Sequence, residues 1–163
     1  MLDVAIRPAV PDDMRLVWSA TLKSLRERYP YRHAEPHAYN VAMTAELTAL
    51  TARASVAVAC DPDEPSTLFG FVIFEPTALH YVYVKFAFRG YGVARELLTH
   101  ACPTFGREPA VCTHLPEPAP HEPGEAPPTT SAVLAKHRLV YRPYHLEPKG
   151  PCATRPNSRP SSM

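Results

Sequence analysis

The segment at residues 82–98, Val-Tyr-Val-Lys-Phe-Ala-Phe-Arg-Gly-Tyr-Gly-Val-Ala-Arg-Glu-Leu-Leu, most restricts what this chain can fold into. It reads as strand, tight glycine-rich turn and amphipathic helix, so helix must pack against sheet. Residues 79–84 are β-branched and aromatic with no Gly or Pro, as a buried strand requires. Val93, Leu97, Leu98 and Ala101 recur on one helical face, and Pro103 stops the helix. The turn reads Arg89-x-x-Gly92-x-Ala94 and encloses Gly90. Both glycines have positive φ available and let a ligand approach the backbone closely. Unpaired amides and the positive end of the helix dipole converge there, a ready site for phosphate or pyrophosphate. The plainer reading is a strand–turn–helix connection with a solvated Arg89.

The rest of the first hundred residues supplies partners for that unit. Residues 2–7 alternate and predict a first strand, broken by Pro8 and Pro11. Asp12 or Asp13 then caps a helix whose face carries Met14, Val17, Trp18, Thr21, Leu22 and Leu25. Residues 26–39 read as a polar, aromatic loop with Arg26, Arg28, Arg32, His33 and His37, either a solvated surface or the lining of an acceptor site. Helix returns over 39–53 with Met43, Leu47 and Leu50. Strands follow at 55–60 and 68–74, separated by the turn cluster Asp61-Pro62-Asp63-Glu64-Pro65. Short connections between these strands suggest an antiparallel meander.

Thirteen of the 20 prolines fall at or beyond Pro103, so the last third is a different regime. A strand is expected at 110–115, an extended loop at 116–128, a short helix at 129–137 and a last strand at 138–146 with Pro143 at an edge or bulge. The expected division is one domain over 1–147 and a disordered tail over 148–163.

Composition narrows the function classes. A chain of 163 residues with 45% hydrophobic content suits one globular domain. A net charge of +1 gives no basic field for nucleic acid. No apolar run suits a membrane span or a signal peptide, so a cytoplasmic protein is the expectation. Cys60, Cys102, Cys112 and Cys152 form no Cys-x-x-Cys pair, and the eight histidines form no His-Glu-x-x-His, so no metal is expected. The four cysteines read as ordinary thiols. Gly-x-Gly-x-x-Gly after a first strand is missing, as is Gly-Lys-Ser/Thr after the turn.

With its turn Arg89-Gly90-Tyr91-Gly92-Val93-Ala94, the preceding strand, and an opening Ile6-Arg7-Pro8-Ala9 followed by Asp12-Asp13, the chain resembles the GNAT acetyltransferase superfamily over about residues 4–102. The resemblance implies an α+β acyl-CoA N-acyltransferase fold with a mixed, mainly antiparallel central sheet flanked by helices. It implies acetyl-CoA as cofactor and an amine of a small molecule or protein as acceptor. By that resemblance Val84 makes the backbone contact with the cofactor's pantetheine arm, flanked by Tyr83 and Lys85. The amides of Gly90, Tyr91, Gly92, Val93 and Ala94 would hold the pyrophosphate, with charge from Arg89 and Arg95.

Acetyl transfer to an amine needs a held thioester, a neutral amine and a proton for the leaving thiolate. A twisted or bulged strand before the turn can turn an N–H toward the thioester carbonyl. His80 occupies the place where family members carry a base, and Glu75 is the alternative. The family's acid is often a Tyr in the helix after the fifth strand. The helix expected at 129–137 has none, and Tyr141 and Tyr144 stand just after it as substitutes. That mismatch, with the proline-rich segment, keeps a second function open: an inactive GNAT-like module that binds CoA or a partner protein. A third is another phosphate-binding α/β domain, such as one for a nucleotide. Oligomeric state is open, a homodimer included.

Overall fold

The computed structural model describes residues 2–27, 31–114 and 130–142. In chain order the elements are β1 (Ala5–Pro8), α1 (Met14–Arg26), α2 (Pro36–Thr51), β2 (Ser55–Cys60), β3 (Leu68–Glu75), β4 (Ala78–Val84), α3 (Val93–Ala101), β5 (Ala110–Cys112), α4 (Thr130–Lys136) and β6 (Leu139–Tyr141). Short 3₁₀ turns stand at Pro11–Asp13, Tyr31–His33 and Phe86–Phe88. The strands form one six-stranded sheet in sequence order. The pairs β1–β2, β2–β3 and β3–β4 are antiparallel, while β4–β5 and β5–β6 are parallel. The fold is therefore α+β with a mixed, mainly antiparallel sheet, and the meander over β2, β3 and β4 is present.

Two cores lie on opposite faces. One packs Val17, Ala20 and Leu25 of α1 and Leu47 and Leu50 of α2 on Val58, Phe71, Ile73 and Tyr81. The other packs Val93 and Leu97 of α3 on Ala57, Ala59, Phe69, Val72 and Val84. β3 is central and covered on both faces, which explains its unbroken apolar run. A register shift opposite Ala59 and Cys60 makes Phe69 the extra residue of a bulge, so Phe69 joins Val72 on the α3 face.

Several boundaries move from the sequence reading. β1 starts at Ala5 and includes Pro8, which an edge strand tolerates. α2 starts at Pro36, inside the segment read as a loop. Pro36 occupies the first turn, where its missing N–H costs nothing, and Glu35 accepts the amides of His37 and Ala38. β5 ends at Cys112, and β6 covers Leu139–Tyr141. Leu115, the loop at 116–128, Tyr144, the domain boundary at 147 and the tail at 148–163 lie outside the described residues. No helix among the described residues is long and apolar enough to cross a membrane.

Candidate functional site

The site is built where β4 leaves the sheet. Lys85 N–H donates to Phe69 O at 2.8 Å. Successive residues of a strand turn their peptide groups to opposite edges, so Tyr81, Tyr83 and Lys85 face β3 while Val82 and Val84 face the other edge. On that edge, among the described residues, β5 pairs with β4 at Leu79 and Cys112, where Thr113 N–H donates to Leu79 O at 3.1 Å. The peptide groups of Val82 and Val84 face the same edge. From His80 to Val84 this edge runs about 13 Å at roughly 3.3 Å per residue.

Strand and helix are joined by the 3₁₀ turn, extended Arg89, and two glycines in left-handed conformation, Gly90 at φ 84° and Gly92 at φ 89°. Gly92 is the N-cap of α3 and makes no side-chain cap hydrogen bond. The first amides bonded inside the helix are those of Arg95 and Glu96, both to Gly92 O at 2.9 and 3.2 Å. Helix geometry thus leaves the Gly92, Val93 and Ala94 amides without an intrahelical carbonyl, pointing out at the positive end of the dipole. The glycine-rich turn and following helix read from the sequence are present, with a 3₁₀ turn inserted ahead of them.

The side chains around it divide into anchors and exposed groups. Val93 and Val84 are buried against β3, so they offer only backbone. Tyr83 stacks on Phe71 with ring centroids 5.5 Å apart and belongs to the opposite core face. Arg89 folds back on the strand: its Nε donates to Val84 O at 3.2 Å and its guanidinium lies 5.7 Å from the Phe86 ring centroid. This bond uses one of five guanidinium donors. Tyr91 is 63% exposed, and Ala94 and Arg95 are exposed beside it.

His80, the candidate base, is placed differently from a base facing an open cleft. It is the extra residue of a bulge in β4, between Leu79 paired with Phe74 and Tyr81 paired with Ile73. It is 2% exposed. Its Nδ1 lies 3.1 Å from Thr113 Oγ1 and its Nε2 lies 2.8 Å from Glu75 Oε2. Both ring nitrogens thus meet protein groups, because the bulge turns the ring between β3 and β5. Glu75 joins His80 in one cluster, and its side chain is 23% exposed with Oε1 at 3.9 Å from Arg53 Nε. The strand bulge expected near the thioester is therefore at His80, four residues before Val84.

Tyr141, the candidate acid, pairs with Cys112 on β6 and is 40% exposed. It stands two strands from β4, about 10 Å by strand spacing, level with the Leu79–Cys112 pair. Cys112 is buried there, and burial pushes its thiol pKa up, which disfavours a thiolate nucleophile. Sequence reasoning missed Thr113, which is buried and bridges His80 to His114 Nδ1 at 3.1 Å. A lone Thr at a strand end carries no sequence signal for that role. Cys60 is buried and Cys102 half-buried, both free. Among the described residues no three His, Cys, Asp or Glu side chains gather into a metal-binding group. On the far side of α1, Leu22, Lys23, Arg26, Glu27, Arg32 and Asn40 line a cleft of about 430 Å³.

No family model and no curated protein matches the sequence. Solved structures with a similar fold include apo YjaB from Escherichia coli, at 17% identity and TM-score 0.46, covering 63% of this chain and 66% of that one. A GNAT-family acetyltransferase from Staphylococcus aureus Mu50 matches at 12% identity and TM-score 0.43, over 63% and 65%. A GNAT-superfamily phosphinothricin acetyltransferase from Sinorhizobium meliloti, in complex with AcCoA, matches at 18% and 0.44, over 62% and 58%. This chain thus spans less than two thirds of the length of each, from 58% to 66%.

Proposed function

We propose that this chain is an N-acetyltransferase that takes its acetyl group from acetyl-CoA and delivers it to an amine of a small molecule or protein. The observation that supports this most is the backbone edge that runs from the outward peptide groups of Val82 and Val84 on β4 to the uncapped start of α3. Such an edge fits a ligand with an amide-bearing arm at one end and a diphosphate at the other. The donor chemistry agrees. Outward main-chain groups on β4 suit the amides of a pantetheine arm, and the helix amides with two left-handed glycines suit an anion.

Acetyl-CoA, when bound, supplies an activated thioester. The chain's own residues do the rest. The amides of Gly92, Val93 and Ala94 hold the diphosphate, with Arg95 and the remaining donors of Arg89 adding charge. Val82 and Val84 orient the arm by their peptide groups. The acceptor ammonium gives up its proton before attack, and Glu75, partly exposed at the end of β3, is the carboxylate that this reading assigns to receive it. Tyr141 on β6 is the phenol that this reading assigns to return a proton to the thiolate.

The burial of His80 favours a second reading, in which the chain binds CoA without turnover. Thermal unfolding with ligands comes first. Stabilisation by acetyl-CoA and not by ATP supports both readings, since a ligand that binds the native state raises its melting temperature. Free-thiol release with a panel of amines then separates them. Turnover supports the transferase, and cofactor binding with no thiol release across the panel supports the module. No stabilisation by acetyl-CoA overturns both.

A further inference from the structure

Four polar side chains form a row where β4 lies beside β5. His80, the extra residue of the β4 bulge, is 2% exposed, and Thr113, just after β5, is 3% exposed. Glu75 Oε2 stands 2.8 Å from His80 Nε2, and Thr113 Oγ1 stands 3.1 Å from His80 Nδ1. The same Thr113 oxygen lies 3.1 Å from His114 Nδ1. The row therefore runs carboxylate, imidazole, hydroxyl, imidazole. Its ends are less buried than its middle: the Glu75 side chain is 23% exposed and His114 is half-buried. Arg53 Nε lies 3.9 Å from Glu75 Oε1, and the Tyr81 ring, bonded to Ser24 of α1, meets His114 edge-on at 5.9 Å between centroids. Apolar side chains would fill the same volume at lower desolvation cost.

A hydroxyl has one hydrogen, so Thr113 donates to one ring and accepts from the other. A carboxylate accepts, so His80 Nε2 carries a hydrogen toward Glu75. With His80 neutral, its Nδ1 is an acceptor. Thr113 then donates to His80, His114 Nδ1–H donates to Thr113, and the His114 lone pair sits on Nε2. With His80 protonated, both bonds reverse. His80 Nδ1–H donates to Thr113, Thr113 donates to His114 Nδ1, and His114 carries its hydrogen on Nε2. The same heavy-atom positions support both polarities, and the two differ by one proton.

We propose that His114, Thr113 and His80 form a proton relay in which His114 takes the proton of the acceptor ammonium and the charge passes to the buried His80–Glu75 pair. This rests on the proposed function and supplies the path by which Glu75 receives the proton. An N–H bond of the ammonium breaks, leaving its electron pair on the amine, as an N–H bond forms at His114 Nε2. The His114 Nδ1 proton moves to Thr113 Oγ1, and the original Thr113 proton moves to His80 Nδ1. Thr113 ends as a hydroxyl, and the Glu75 carboxylate holds the His80 imidazolium. The His80 Nε2 proton then passes to Glu75 and from its exposed part to water. His114 is the catalytic residue of the relay, and Thr113 and His80 act through it.

Ring ¹⁵N spectra of the parent chain read the polarity with no ligand and no variant. At alkaline pH His80 is expected as the Nε2–H tautomer and His114 as the Nδ1–H tautomer. On acidification both rings should change along one curve, since the first proton belongs to the pair. A neutral His114 in the Nε2–H form beside a neutral His80, or two unrelated curves, overturns the relay. Thr113→Val keeps the side-chain shape and deletes the hydroxyl, while Thr113→Ser keeps the hydroxyl. In amine acetylation followed by thiol release, Thr113→Val is expected to lower kcat at least about tenfold with KM for acetyl-CoA within about twofold, and Thr113→Ser to hold kcat within about threefold of the parent. A parent-like kcat in Thr113→Val, or a loss carried by KM alone, overturns the relay and leaves the transferase reading standing. A parent chain with no turnover across the amine panel overturns that reading and the relay with it.

Discussion

Asp13 is a buried carboxylate, and the chain surrounds it with donors. Arg7 Nη1 and Nη2 reach its two oxygens at 2.6 and 3.2 Å, and Val10 N–H donates at 2.8 Å. Burial pushes its pKa up, but the Arg7 hydrogen bond, the Val10 amide and the Arg7 charge together outweigh burial and leave it below the ordinary 3.8. A folded pKa below the unfolded one stabilises the native state fully above the unfolded value, and that contribution is lost as pH falls through the folded value. Unfolding midpoints measured from pH 6 downward should therefore begin to drop near pH 4. Asp13→Asn should flatten that drop and cost about 2 kcal/mol at neutral pH. At the other functional end, Gly92 has φ 89°, and a Cβ there meets nothing within 4 Å. Gly92→Glu strains the backbone and places an anion at the helix start. Loss of acetyl-CoA binding in that variant, read by calorimetry at a concentration saturating the parent, is the expected outcome.

Strand β3 shows what an element can reveal in advance. Its apolar run Leu68–Phe74 stands out because both sheet faces bury most of it. Gly70 within it carries a different constraint. A Cβ on Gly70 would lie 2.3 Å from Tyr83 O, so β3 and β4 approach too closely for any side chain. Gly70→Ala should destabilise the domain by roughly 3 kcal/mol in urea unfolding, through forced displacement of β4. It should weaken acetyl-CoA binding as well, since Tyr83 is next to Val84. The start of α2 was hidden for the opposite reason. Pro36 looks like a breaker in a polar stretch, yet proline suits the first helical turn, and Glu35 captures the amides it leaves. Period and proline count locate helices well in their middles and poorly at such ends.

For the molecule as a whole, ligand linkage gives the broadest check. Acetyl-CoA at about a hundred times its dissociation constant adds ~2.7 kcal/mol to native stability, or roughly 5–10 °C in the melting temperature of a domain this size. The local unit from β4 to α3 was legible in the sequence, because a buried strand, two glycines and an amphipathic helix are adjacent in the chain and their chemistry is local. The same holds for the two glycines' positive φ and the exposed helix amides. The junction of β4 with β5 was not legible. It depends on β5, some thirty residues from β4, pairing at Leu79. His80 shows the difference most clearly. Its residue type and strand position suggest a base, but a one-residue bulge decides which way the ring turns, and the partners waiting there come from β3 and β5. By itself the sequence determined the order of elements and the glycine-rich turn at the helix start, since both arise from neighbours in the chain. Tertiary structure alone decided which strand lies beside β4 and which side chains meet His80, since those follow from contacts between distant segments that no local pattern encodes.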